Sequence, residues 1–180
     1  MTDQILKEIR AELTNGHIKK RHPFRYFTFA TSHNGSPRQR TVVLRKMLPD
    51  LNILFYTDAR SHKVEDFKKN SQVSALFYHP KKLMQVRVEG EAQIITDPKQ
   101  LKQYWNNIQE SSKKDYITER APGSPIKNPD NVDYLEEEHH FCAVKIVPKC
   151  IEYLRLKRPN HIRVLFIKKE DKWNGKFLVP

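Results

Sequence analysis

Residues 25–45 of the chain read RYFTFATSHNGSPRQRTVVLR. Aromatic and β-branched side chains dominate residues 25–32, and a second run of strand-forming residues follows at 38–45. The residues between the two runs include HNGS at 33–36, which contains Asn-Gly, the dipeptide that two-residue hairpin turns prefer. The segment therefore predicts an antiparallel β-hairpin.

The chain before the hairpin has the pattern of a helix. Its apolar residues recur at helical spacing and would share one face: Ile5, Leu6, Ile9 and Leu13. Asn15-Gly16 is a typical helix end. We therefore expect an N-terminal helix over residues 2–15.

The chain after the hairpin alternates further strands with turns. Strands are expected over residues 52–57, 71–78, 83–95, 141–147, 150–156, 163–168 and 176–179. Gly90 is expected to bend the long strand at 83–95. A short helix is expected over 61–70, with Ser61 as its cap, and another helix begins at Asp97-Pro98, where a capping residue precedes proline.

Residues 111–140 are polar, charged and interrupted by proline, with weak helix potential at 132–138. They belong to a helical and loop excursion over about residues 97–140. Tight turns between consecutive strands, without a βαβ rhythm, imply an antiparallel sheet. We predict one domain over residues 1–180, a mainly β fold in which a closed or nearly closed antiparallel barrel carries peripheral helices.

Composition limits the class of protein. The 180 residues carry a net charge of +12, but 38% are hydrophobic, which is too apolar for a disordered basic tail. The five glycines stand too far apart for the glycine-rich loops of Rossmann or P-loop proteins. Two cysteines without metal-type spacing indicate a reduced, cytoplasmic protein and no metal site. No apolar run approaches the roughly 20 residues that cross a bilayer, so no membrane association is expected.

The segment YTDARSHK at 56–63 is a candidate anion site. If Ser61 caps the following helix, His62 and Lys63 occupy its first turn, where a positive charge opposes the helix dipole. A phosphate there would gain backbone N–H donors together with hydroxyl and cationic partners. An ordinary exposed basic turn is the alternative interpretation.

Three other polar patterns have functional and structural interpretations. Arg40 and Arg45 would lie on opposite strand faces unless a bulge intervenes, and both fit a solvated strand as well as a ligand site. Gln85 begins a strictly alternating polar face, which suits either a ligand or a cross-strand ion-pair ladder. His161 and Arg163 share a face that could bind an anion or move a proton, or could simply be exposed.

Five ordered blocks carry a further signal: RTVVLR at 40–45, FYT at 55–57, SHK at 61–63, FYHP at 77–80 and QVRVEG at 85–90. Together they resemble the pyridoxamine-phosphate oxidase-like family of FMN-binding split barrels. The resemblance covers about residues 25–95 and returns at 151–154, 161–163 and 177–180. It implies a split barrel of antiparallel Greek-key type, FMN as cofactor, and a homodimer with the flavin at its interface.

The resemblance also implies which residues would contact the flavin. Arg40, with His62 and Lys63, would bind its phosphate, and Arg163 would approach across the dimer interface. The full implied set is Arg40, Thr41, Val42, Val43, Leu44, Arg45, Tyr56, Thr57, Ser61, His62, Lys63, Gln85 and Arg163.

Three positions depart from the pattern of the vitamin enzyme. Leu154 stands in place of a tryptophan, while Pro159 and Ile108 stand in place of substrate arginines. His161 is kept and is a candidate for substrate contact. The resemblance therefore implies an FMN-dependent oxidoreductase that acts on a small molecule, with altered substrate residues.

Two other classes of function are kept as alternatives. The altered substrate residues would permit a flavin- or anion-binding module without turnover. The charge of +12 invites nucleic-acid binding. Because the basic residues are spread along the whole chain and no nucleic-acid-binding signature accompanies them, nucleic acid is the least favoured partner.

Overall fold

The computed structural model describes residues 1–180 and contains four α-helices and nine strands. The helices are α1 (Thr2–Ile18), α2 (His62–Lys69), α3 (Pro98–Asn106) and α4 (Glu110–Lys113). The strands are β1 (Tyr26–His33), β2 (Ser36–Val43), β3 (Lys46–Met47), β4 (Ile53–Asp58), β5 (Gln72–His79), β6 (Met84–Ile94), β7 (Phe141–Arg155), β8 (Ile162–Lys169) and β9 (Lys172–Leu178). None of the helices combines the length and the apolar character that a membrane-spanning helix needs.

The predicted hairpin is confirmed as β1 and β2, which pair from Tyr26 opposite Val43 to His33 opposite Ser36. Asn34 and Gly35 have φ values of 50° and 82°. Two consecutive left-handed residues are what a type I′ turn requires, and asparagine and glycine adopt that conformation at the least cost.

The strands form one antiparallel sheet in the order β2-β1-β5-β6-β7-β4-β3, with β8 and β9 added beside β7. The two ends of this order, β2 and β3, are separated in the chain only by Leu44 and Arg45. The amide of Arg45 already donates to the Leu54 carbonyl of β4 at 2.9 Å. One continuous segment therefore pairs first with β1 and then with β4, so the sheet curls into the predicted barrel.

Phenylalanine side chains from alternate strand positions fill the barrel. Phe27 stacks on Phe77 with ring centroids 4.7 Å apart, and Phe29 lies 4.8 Å from Phe55. All four are at most 2% exposed, and each buried ring contributes roughly 1.5–3 kcal/mol. The apolar face of α1 covers one part of this core.

The structure corrects four boundary predictions. The first helix continues through Gly16 to Ile18, and at Gly16 it packs so close to Phe24 that a Cβ there would lie 2.8 Å from the Phe24 Cβ. The strands predicted at 141–147 and 150–156 are one strand, β7, and β9 begins at Lys172. Residues 132–138 form no helix; Tyr134 instead makes an isolated bridge with Thr118.

The Gly90→Ala variant is expected to lower the free energy of unfolding by about 2–3 kcal/mol. The register between β6 and β7 shifts at Gly90, and a Cβ there would lie 2.1 Å from the Val147 carbonyl oxygen, which cannot move freely. Urea denaturation measures the change. Gly35→Asn is the control, since nothing lies within 4 Å of that position and asparagine tolerates its φ. A G90A midpoint equal to that of the wild type would show that the close approach is wrong.

Candidate functional site

A cleft of about 450 Å³ opens beside the junction of β2 with β3. It brings together eight residues of the predicted flavin set, from three separate blocks of sequence. Its lining is Arg40, Thr41, Val42, Val43, Arg45, Tyr56, Thr57, Asp58, Lys63, Asp115, Tyr116 and Pro122. We call it the Lys63 cleft.

Arg40 and Arg45 line the same cleft, although strict strand alternation places them on opposite faces. The chain stops pairing with β1 at Val43 and pairs with β4 from Arg45. Because the strand is interrupted between them, alternation does not carry through from Arg40 to Arg45. Leu44, at the interruption, is fully buried in the core and is not part of the cleft lining.

Lys63 is a half-buried cation that forms no ion pair, although Asp58 lines the same cleft. Its Nζ donates to Thr57 Oγ1 at 2.9 Å, and no carboxylate lies within ion-pair distance. Burial, and then the charge of Arg40, lower the pKa of Lys63 from 10.5. A positive charge held in this way favours an anion in the cleft.

Arg40 is tied into a buried network with α2. Its Nη1 donates to Thr31 Oγ1 at 2.8 Å, and its Nη2 lies 3.6 Å from Asp66 Oδ2. Asp66 also accepts from Thr31 and lies 2.7 Å from His33 Nδ1. Burial alone would raise the pKa of Asp66, but these hydrogen bonds and the charge of Arg38 outweigh burial and lower it. Arg40 therefore supports the fold as well as the cleft.

The sequence analysis did not identify Asp66. The signal that could have found it is its position between the inward residues Val64 and Phe67 on the short helix α2. A carboxylate on a buried helix face needs a cationic or hydrogen-bonding partner.

The guanidinium of Arg45 has N–H donors that no protein atom satisfies. Its Nε is buried without a hydrogen-bond partner, and its Nη2 makes only a long contact of 3.5 Å with Tyr116 Oη. The guanidinium lies 5.4 Å from the centroid of the Tyr56 ring. Burial raises the pKa of both Tyr56 and Tyr116, so both phenols stay neutral. The wall around Arg45 thus offers neutral hydroxyls and an unsatisfied cationic donor.

Ser61 is the N-cap residue of α2, as predicted, but its side chain does not cap the helix. The Ser61 hydroxyl donates to the Asp58 carbonyl at 2.8 Å and makes no hydrogen bond to the helix N-terminus. It is buried behind the cleft, 3.2 Å from Thr57 Oγ1. His62 is exposed, 3.6 Å from Glu65, and does not line the cleft. Of the predicted SHK block, only Lys63 reaches the cleft.

Arg60 holds part of the excursion at residues 97–140 against the edge of the Lys63 cleft. It pairs with Asp58 and donates to the backbone carbonyls of Thr118 and Glu119, each at 2.8 Å. These bonds hold the chain that supplies Tyr116 and Pro122 to the cleft wall. Because its contacts are to backbone atoms distant in sequence, no local pattern identifies Arg60 as a cleft-forming residue.

Gln85 and Arg163 lie far from the Lys63 cleft. They flank Leu154 across neighbouring strands, whereas Tyr56 of the cleft pairs with Ala143 at the other end of β7. Leu154 lies eleven positions beyond Ala143, so roughly 30 Å of strand runs between the two groups. The structure therefore divides the predicted set into a cleft group and a sheet group.

The sheet group is built around a buried carboxylate. Arg163 and Arg87 both donate to Glu152 Oε2, at 3.0 and 3.3 Å. Arg87 Nε lies 3.1 Å from Glu89 Oε1, whereas Arg163 Nε is buried without a hydrogen-bond partner. His161 is exposed, and its Nδ1 accepts from the Lys157 amide at 3.1 Å.

A separate polar cluster joins α1 to the turn between β5 and β6. Glu12 pairs with Lys82 and lies 3.1 Å from His22 Nε2, with His79 beside them. Backbone amides donate to Nδ1 of His22 at 3.1 Å and of His79 at 3.3 Å, so each neutral ring carries its proton on Nε2. That tautomer leaves no free lone pair at Nε2 for a metal, and we interpret the cluster as a hydrogen-bonded anchor.

Comparison with known proteins tests the family resemblance independently of the geometry of the cleft. The family model described as pyridoxamine 5'-phosphate oxidase, FMN-binding domain, matches residues 4–96. A pyridoxine/pyridoxamine 5'-phosphate oxidase of Aliivibrio salmonicida is 28% identical over 159 residues, which are 81% of this chain and 74% of that protein. A protein of the same description from Teredinibacter turnerae is 38% identical over 95 residues, 52% of this chain and 44% of that protein.

Two solved structures share the fold. A pyridoxamine 5'-phosphate oxidase-related, FMN binding protein from Nostoc punctiforme superposes with a TM-score of 0.79 at 23% identity, covering 97% of each chain. PhzG from Burkholderia lata, solved in complex with tetrahydrophenazine-1-carboxylic acid, gives a TM-score of 0.78 at 16% identity and covers 99% of this chain and 92% of PhzG. These matches confirm the antiparallel split barrel.

Proposed function

The chain belongs to the family of pyridoxamine 5'-phosphate oxidase FMN-binding domains, and from that premise we propose that it is an FMN-dependent oxidoreductase acting on a small molecule. The observation that carries the proposal is the half-buried ammonium of Lys63, which makes no ion pair in its cleft. Family membership supports flavin binding, and the chemistry of the cleft supports a flavin that carries phosphate.

The residues of the Lys63 cleft fit FMN. Lys63 and Arg40, with the Thr57 hydroxyl, would hold the phosphate, because a dianion relieves the repulsion between two half-buried cations. The unpartnered Nε of Arg45 and the neutral Tyr56 hydroxyl would face the rest of the cofactor. The match between the donors present and an anionic cofactor supports FMN rather than unphosphorylated riboflavin.

We further propose that the protein is a homodimer in which the sheet group of one protomer completes the cleft of its partner. Gln85 and Arg163 lie at the opposite end of β7 from Tyr56, with roughly 30 Å of strand between them, and do not line the Lys63 cleft. A second copy of the chain supplies both groups to one flavin without any rearrangement of the fold. Each protomer would be one domain over residues 1–180, since a single hydrophobic core runs from Ile5 to Phe166.

FMN, when bound, supplies the hydride and electron transfer that the side chains cannot perform. The chain's own residues bind it, orient it and exclude water. Tyr116 and Pro122, held by Arg60, close one side of the cleft. Burial raises the pKa of the Cys142 thiol to about 11, so the thiol stays protonated and is not a nucleophile. His161, on the sheet side, remains our candidate for substrate contact in this cytoplasmic enzyme.

The visible absorption spectrum of the purified protein, with the mass of any released chromophore, tests the cofactor. We expect a yellow protein that releases FMN. Bleaching of this spectrum by a reduced nicotinamide, followed by reoxidation, would support the oxidoreductase. A colourless protein that also fails to take up added FMN would contradict the proposal, and a flavin that no donor reduces would favour a binding module without turnover.

FMN affinity is expected to fall as the pH rises towards 10.5. Because burial and Arg40 lower the pKa of Lys63, the ammonium of the flavin-free protein loses its proton below that pH. Phosphate favours the ammonium form, so binding requires proton uptake in this range and Kd rises. Lys63→Arg is the matched control because arginine stays charged throughout. Fluorescence titrations of both proteins between neutral pH and pH 10.5 make the test; the same pH dependence in both would exclude Lys63 as the cause.

A further inference from the structure

One side of the Lys63 cleft is formed by the excursion, through Asp115, Tyr116 and Pro122. We call residues 115–122 the excursion wall. We propose that Arg60 is a positioning residue for the cofactor, because it holds the excursion wall closed along the cleft and thereby sets how fast a bound flavin leaves. The inference rests on the proposed function for the identity of the ligand, and on contacts within the chain for the wall.

The excursion wall follows the cleft from one end to the other. At one end, Tyr116 Oη lies 3.5 Å from Arg45 Nη2. Just beyond the other end, a Cβ at position 123 would lie 3.3 Å from Nε2 of His62, in the first turn of α2. A flavin in the Lys63 cleft would therefore lie against the wall over the length of the cleft, and a closed wall would block its exit on that side.

The guanidinium of Arg60 is fixed on the barrel side before it reaches the wall. Asp58, the last residue of β4 and 3% exposed, accepts from Arg60 Nε at 3.1 Å and from Nη2 at 2.8 Å. Such a forked contact with a carboxylate fixes the plane of the guanidinium. On the wall side, Nη1 donates to the Glu119 carbonyl and Nη2 to the Thr118 carbonyl, each at 2.8 Å. Arg60 thus joins a strand of the barrel to the backbone of the wall.

Little else holds this part of the excursion against the barrel. Every hydrogen bond between residues 117–125 and residues outside the excursion is made by Arg60, and none of these residues forms an ion pair. Tyr116 is the only buried residue of the wall. Behind the wall lies a cavity of about 220 Å³, which Asp115 and Pro122 line as well as the cleft. Open space backs the wall, so the contacts of Arg60 decide whether it stays closed.

The Arg60→Lys variant is expected to release flavin about tenfold faster than the wild type. Lysine keeps a positive charge beside Asp58, but its single nitrogen cannot reproduce the fork that spans this carboxylate and two wall carbonyls. Because the phosphate is assigned to Lys63 and Arg40, we expect the release of FMN and of riboflavin to quicken by the same factor. The rise in flavin fluorescence after rapid dilution of the loaded protein measures both rates.

Opening of the excursion wall can be measured without flavin, by limited digestion with trypsin. Arg120 and Lys127 are exposed trypsin sites in the wall and just beyond it, and cleavage of a folded chain requires local opening. In flavin-free R60K we expect cleavage at these two sites about tenfold faster than in the wild type, with cleavage elsewhere unchanged. Arg21→Lys, an exposed change outside the excursion, is the matched control and is expected to alter neither cleavage nor flavin release.

The Pro122→Gly variant tests the wall without a change at Arg60. Pro122 is exposed, and glycine at this position, next to Gly123, frees the backbone of the wall without removing a buried group. We expect both flavins to leave P122G about two- to fivefold faster than the wild type. Release at the wild-type rate would show that the wall does not limit the exit of flavin.

The outcomes separate this inference from the proposed function. If the wild type takes up no FMN, the proposed function is wrong and the inference falls with it. If FMN binds but leaves R60K no faster than the wild type, the inference alone is wrong. It is also overturned if trypsin cleaves R60K no faster at Arg120 and Lys127. Faster release of FMN without faster release of riboflavin would overturn it too, since Arg60 would then act on the phosphate.

Discussion

The Lys63→Ala variant is expected to be purified without flavin and to bind added FMN about 10- to 100-fold more weakly than the wild type. A hydrogen bond to a charged group contributes roughly 1.5–3 kcal/mol, and the cleft shields this one from solvent. Equilibrium titration of apo-protein with FMN, followed by quenching of flavin fluorescence, measures the change.

The stability of the flavin-free K63A variant is expected to equal or exceed that of the flavin-free wild type. Lys63 makes no ion pair, and burial outweighs the attraction of Asp58 and lowers its pKa, so removal of the ammonium relieves an unfavourable burial. Arg40→Ala is a poorer test, because it takes a partner from the buried carboxylate of Asp66 and would destabilise the fold. Lys68→Ala, an exposed change on the same helix, is the control. Unchanged FMN affinity in K63A would refute the assignment of the phosphate site.

The second large effect is complementation between protomers. The Lys63→Ala homodimer and the Arg163→Ala homodimer are each expected to lose flavin. In Arg163→Ala, the affinity for FMN is expected to fall about tenfold. A heterodimer of the two variants is expected to regain one flavin, because the intact cleft of the R163A chain meets the intact sheet group of the K63A chain. Two affinity tags isolate the heterodimer, and absorbance gives its flavin content.

The matched control carries both substitutions on one chain and pairs it with a wild-type chain. If each site draws on both protomers, every site in this heterodimer contains one damaged group, and the flavin content is low. If the site lies within one chain, the results reverse, because the wild-type chain keeps its flavin and the complementing pair has none. Arg87 still pairs with Glu152 in R163A, so the buried carboxylate is not left alone.

Local patterns predicted most of the elements. Asn34-Gly35 specified a hairpin turn, Asp97-Pro98 specified the start of α3, where Asp97 Oδ1 accepts from the Lys99 amide at 2.9 Å, and Gly90 marked the register shift in β6. Each of these signals depends on the backbone preference of one or two residues. Such preferences act over a few residues, and for that reason a single sequence reveals them.

The predicted flavin-contacting residues divide into the cleft group and the sheet group because of the order of strands in the sheet. Local sequence patterns carry no information on that order. Tyr56 and Gln85 are separated because β7 lies between β4 and β6 and pairs with them at opposite ends. The partners of Arg40 and Arg60 likewise come from positions distant in sequence. Ser61 occupies the N-cap position that the sequence predicts, but its hydroxyl donates to the Asp58 carbonyl and makes no hydrogen bond to the helix N-terminus.

The central claim is that the Lys63 cleft holds FMN by its phosphate. Parallel titrations of apo-protein with FMN and with riboflavin, in the wild type and in Lys63→Ala, test it most directly, because the two ligands differ only in the phosphate. We predict that the wild type binds one FMN per chain and binds riboflavin far more weakly, and that K63A narrows this difference by about 10- to 100-fold. Equal affinities for the two flavins in the wild type, or a preference for FMN that K63A leaves unchanged, would contradict the account.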